Sequence, residues 1–148
     1  MIKNLRSFYP VALTILVFAV IACKSPVQEL TISVTHRVFS DYYEELQIRM
    51  GEKYQLSDTD YFIKAVDFVP DFAINSSTGE VASRSDSLKN PAVKLIIYKG
   101  KEKVEEVWAF QKVQAPHFSR QSMLGFKLLD FKIEDKFRKV EDKPDKTD

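Results

Sequence analysis

From residue 30 to residue 133, apolar and polar positions alternate with the period of half-buried β-strands. Leu30, Ile32 and Val34 alternate with Thr31, Ser33 and Thr35, and Leu46, Ile48 and Met50 alternate with Gln47 and Arg49. The pair Gly51-Glu52 then punctuates, so the spacing predicts 53–56 as a return strand. Ser57-Asp58-Thr59-Asp60 is a turn cluster ahead of a longer strand, 61–69, which Pro70 ends or confines to an edge. Segments 76–79 and 83–91 are rich in Ser, Gly, Asp, Asn and Pro and read as loops. A strand over 93–98, a turn at Lys99-Gly100-Lys101-Glu102, its antiparallel partner over 104–113 and a last strand over 125–133 complete the series. Only 40–47 offers a competing helix, through Tyr43, Leu46 and Met50. The pattern predicts a mostly β single domain, an antiparallel β-sandwich of seven or eight strands.

The N-terminus follows different rules. Lys3 and Arg6 precede an apolar run over 11–22 that is interrupted only by Thr14 and stops at Cys23-Lys24-Ser25-Pro26. This is the layout of an export signal, shorter than the roughly 20 residues a spanning helix needs. The run ends in Val20-Ile21-Ala22-Cys23, which resembles the lipobox of bacterial lipoproteins. That resemblance implies a diacylglyceryl thioether on Cys23, cleavage after Ala22, and further acylation, typically palmitate. An exported chain with a single cysteine has no disulfide partner, which favours the lipidated reading over a free thiol. Two or three acyl chains at about 0.8 kcal/mol per methylene hold a protein on a membrane through the anchor alone. Lys24 stands where an aspartate signals inner-membrane retention in Gram-negative lipoproteins, so the resemblance implies an outer-membrane protein facing the periplasm in such a cell. The expected organisation is a signal peptide over 1–22, a lipidated tether over 23–28, the sandwich over 29–138 and a disordered charged tail over 139–148.

Losing Lys3 and Arg6 from 22 basic residues, against 21 acidic ones, leaves the mature chain at −1. Such a balance gives no basic footprint for nucleic acid, which is excluded as a partner.

Candidate chemistry is sparse. His36 and His117 have no cysteine to accompany them, and no G-x-S-x-G, H-E-x-x-H or glycine-rich phosphate loop is present. Asp58 and Asp60 begin like a calcium loop, but Phe62 takes the next liganding position and the required glycine is missing. Asn75-Ser76-Ser77 matches a glycosylation acceptor and reads as a turn. No cofactor or metal is expected, and a non-catalytic module is expected over an enzyme or small-ligand carrier.

The aromatic residues are more informative. Most fall on strands and are expected to fill the sandwich, Trp108 among them, so its loss is expected to unfold the domain. Others lie beside loops. Phe68-Val69-Pro70-Asp71-Phe72, Trp108, Phe110 and Pro116-His117-Phe118 are expected to line a rim at one end of the sandwich. The order Gly51, Tyr54 to Leu56, Tyr61, Asp67 to Phe72, Asn90-Pro91-Ala92, Trp108-x-Phe110 and Pro116-His117, spanning 44–127, resembles the extracytoplasmic domain of ResB-type cytochrome c biogenesis proteins. Those proteins keep haem and apocytochrome together, using membrane helices with haem-ligating histidines. This chain has no such helices, so the resemblance implies a detached module without the haem channel. The candidate contact residues are Phe72, Asn90, Trp108, Phe110 and His117, facing a partner protein of the cell envelope.

Overall fold

A computed structural model describes residues 27–113 and 115–133. The expected signal, Cys23 and the expected charged tail lie outside the described residues. Ten strands occur among them: β1 (Val27–His36), β2 (Tyr43–Arg49), β3 (Lys53–Gln55), β4 (Tyr61–Val69), β5 (Phe72–Ile74), β6 (Val81–Ser83), β7 (Ala92–Lys99), β8 (Glu102–Phe110), β9 (His117–Phe118) and β10 (Leu124–Ile133). They build two four-stranded antiparallel sheets, ordered β2-β1-β10-β9 and β3-β4-β7-β8, and a separate β5-β6 hairpin.

The inner faces are aliphatic apart from Phe126. Leu30, Ile32, Val34, Ile48, Phe126 and Leu128 from the first sheet meet Ile63, Ala65, Val93, Leu95, Ile97, Val107 and Ala109 from the second, all nearly or fully buried. Phe68 of β4 and Phe131 of β10 bridge the layers, with ring centroids 4.9 Å apart. The chain crosses between sheets after β2, where the Gly51 amide donates to the Ala65 carbonyl at 2.8 Å. Gly51 turns there with φ +82°, a conformation that costs glycine little. On the same side the Glu44 carboxylate accepts from the amide and the hydroxyl of Ser57, tying the start of β2 to the turn after β3.

The architecture is the expected mostly β, antiparallel single domain, with ten strands in place of seven or eight. The additions are β5, β6 and β9, all two or three residues long, too short for a period to show. Segment 40–47 forms no helix; β2 starts at Tyr43. Val27 and Gln28, expected in the tether over 23–28, belong instead to β1, where Val27 is buried and stands opposite Ile133 of β10. β8 stops at Phe110, three residues before the expected end, where the Gln111 amide donates to the Pro91 carbonyl.

Candidate functional site

In β8, Val107 and Ala109 face the core, so Trp108 and Phe110 project from the outer side of the second sheet. This corrects the expectation of a core tryptophan. Phe110 stands opposite Ala92, and Ala92 opposite Val69. Residues directly opposite share a face, so these buried small side chains form a floor on which larger rings rest.

Phe72 of β5 comes down onto that floor. Its ring lies edge-on to Trp108, with centroids 5.0 Å apart, and perpendicular to Phe110 at 4.8 Å. His117 of β9 adds an edge contact to Phe110 at 6.0 Å. T-shaped geometries of this kind set the positive ring edge against the negative ring face. Four of the five expected contact residues therefore meet ring to ring, though 45 residues of sequence separate Phe72 from His117. All but His117 are half-buried; the imidazole is exposed.

Asn90 acts from behind. Its carbonyl accepts from the Phe72 amide at 3.0 Å, its side-chain amide donates to the Phe72 carbonyl at 3.3 Å, and its own amide donates to the Pro70 carbonyl at 3.2 Å. It positions the Phe72 backbone rather than a ligand.

A second clamp escaped sequence reasoning. The Asp71 carboxylate, only 3% exposed, accepts from the Arg84 guanidinium at 2.9 Å and the Ser85 hydroxyl at 3.0 Å. Burial pushes this carboxyl up, but the Ser85 and Arg84 donors outweigh it and hold it below its ordinary value. Together with the Asp71 amide, which donates to the Ser83 hydroxyl, this fixes the root of the hairpin. The partners lie at the end of the three-residue β6 and just after it, in a stretch that carries no periodicity and reads from the sequence only as a loop.

The remaining candidates have local roles. His36 Nδ1 accepts from the amides of Val38 and Phe39 at 3.1 and 3.2 Å, capping the β1–β2 loop. The Asn75 side-chain oxygen accepts from the amides of Ser77 and Thr78, an Asx turn at the hairpin tip. Asp58 lies in the turn after β3 with φ +53°.

On the far edge of β8, the Glu105 carboxylate accepts from the Ser119 hydroxyl and from the amides of Arg120 and Gln121. Burial raises this carboxyl, and the three donors together with the nearby Arg120 charge more than reverse that. Ser119 in turn accepts from the buried Ser122 hydroxyl at 2.8 Å. A carboxylate engaged by three donors is a fastener rather than a base. Among the described residues no group of three or more His, Cys, Asp or Glu side chains is placed to hold a metal ion, and no buried side-chain nitrogen or oxygen lacks a partner. No helix among them is long and apolar enough to cross a membrane.

No protein-family model, no curated protein and no solved structure matches this chain.

Proposed function

We propose that the protein is a lipid-anchored module of the bacterial cell envelope, held through Cys23, that binds a partner protein with the rings of Phe72, Trp108, Phe110 and His117. In a Gram-negative cell it faces the periplasm from the outer membrane. The observation that carries this reading is the convergence of those rings on the outside of the sheet. Aromatic residues are enriched at protein interfaces, and tryptophan is among the side chains on which binding energy concentrates. Asn90 and Asp71 hold the hairpin that delivers Phe72, so the surface is formed before a partner arrives and less ordering entropy is lost on binding. The motif resemblance supports cytochrome c maturation as the process the partner serves.

Two measurements test the reading. Cys23→Ser is expected to move the protein from the membrane to the soluble fraction, with loss of metabolic acyl labelling; a substituted protein that stays on membranes after an alkaline wash refutes the anchor. A photo-crosslinking residue at His117 is expected to capture one envelope protein, and Trp108→Ala is expected to abolish the capture while leaving the fold intact. Unchanged capture refutes the ring surface. A haem spectrum that appears with the purified protein and vanishes in His117→Ala would transfer the site from protein binding to haem.

A further inference from the structure

The rest of the Trp108 face carries an uneven charge. Three rows run across the second sheet: Lys53–Lys64–Ile96–Glu106, Gln55–Phe62–Tyr98–Lys103, and Asp67–Lys94–Trp108. They hold four lysines against two acids. The outer face of the other sheet is balanced: Glu29 lies between Arg49 and Lys132, Thr31 between Gln47 and Asp130, and Ser33 between Glu45 and Lys127.

The two acids leave part of this face uncompensated. Glu106 is bound by both Lys94 and Lys103. Lys53 and Lys64 stand directly opposite each other on neighbouring strands, an arrangement that costs free energy in a ladder. Lys53 turns its ammonium over the rings of Tyr98 and Phe62, 4.2 and 4.6 Å from their centroids, and donates to the Gly100 carbonyl. The only acid in Lys64's row is Glu106, two strands away.

We propose that this face docks an acidic, extended peptide segment of the partner protein. The inference deepens the binding reading above and rests on it for the identity of the partner, while the lysine rows stand independently. Carboxylates along such a segment would lie against Lys53 and Lys64, with Phe62, Ile96 and Tyr98 as the apolar ground between them. The shape favours a chain over a membrane. The β5-β6 hairpin lies on this same face, with Phe72 against Trp108 and Phe110, so the face is not the flat surface that a bilayer would meet.

The test uses the full lipidated chain in phosphatidylcholine nanodiscs and a fluorescein-labelled hexaglutamate probe, read by polarisation at low salt. Binding is expected, weakened about five- to tenfold by Lys53→Gln combined with Lys64→Gln, as two exposed ion pairs would contribute, and suppressed by added salt. Lys127→Gln, on the balanced face, is expected to bind like the parent. Circular dichroism melts establish that the variants fold. Binding that survives Trp108→Ala keeps this inference even where the ring surface fails. The inference is overturned if the double variant binds as the parent does, if Lys127→Gln loses as much, or if phosphatidylglycerol vesicles displace the probe at equal charge, which would make the face a lipid contact.

Discussion

Ser119 donates its hydroxyl to the Glu105 carboxylate, joining an edge strand of one sheet to the turn that leads into the last strand of the other. Because Glu105 also accepts two amides of that turn, one carboxylate makes three of the bonds that close this side of the sandwich, beside the Gln111 side-chain amide, which donates to the Leu129 carbonyl. Glu105→Ala strips three donors of their acceptor. Hydrogen bonds to a charged group contribute about 1.5–3 kcal/mol, so a loss of about 2 kcal/mol is expected in denaturant titrations. Ser119→Ala, which leaves the amides their acceptor, is expected to cost less.

The same carboxylate gives the protein an acid dependence of known sign. A carboxyl held below its ordinary value of 4.5 when folded contributes stability that is complete above that value and is lost as the pH falls through the folded one. Glu106, brought down to about 2 by Lys103 and Lys94, extends the window from 4.5 to about 2. Thermal midpoints are expected to fall over that range, and to fall less steeply in Glu105→Gln. Equal slopes in both proteins would show that other groups set the acid limit.

Trp108→Ala is expected to leave a folded domain. Its ring is half-buried against Phe72 on the outer face, so about 1–2 kcal/mol is expected to be lost, part of it the aromatic pair. Phe126→Ala, in the fully buried core, is expected to cost about 3–5 kcal/mol. Comparing the two melts places the tryptophan outside or inside the core.

Gly125 of β10 leaves no room for a side chain. A β-carbon there would lie 2.6 Å from Phe118 Cε1 and 2.8 Å from Thr35 Oγ1. Gly125→Ala is expected to destabilise by about 1–3 kcal/mol through overpacking. Combining it with Phe118→Ala is expected to recover part of that loss, a coupling that a double-mutant cycle reads directly.

The long strands were legible because each carries its own period. The expected 61–69 strand is Tyr61–Val69 as observed, and 125–133 differs from Leu124–Ile133 by one residue. The phase of β8 was not legible. Val107 and Ala109 are apolar, but so are Trp108 and Phe110, and alternation gives no direction when both sides are apolar. What decides it is Phe72, from an element more than 30 residues earlier, which covers the outer rings. The site residues were nameable as aromatic neighbours of loops, and four of them do meet. The role of Asn90 was not, because two of its three bonds run through its own backbone groups and the third ends on the Phe72 carbonyl, none of which a sequence pattern records.

The placement of the first and last described strands has a mechanical consequence. Val27 begins β1 opposite Ile133, which ends β10, so both ends of the described chain leave from the same end of one ladder. A load applied between those ends would peel the ladder apart one rung at a time, the arrangement that resists force least. A load between Val27 and the outer face of β7 and β8 would instead be shared across the packed sheets. The described domain is therefore weakest to a load between its own two ends and stronger to one that crosses from the first sheet to the second.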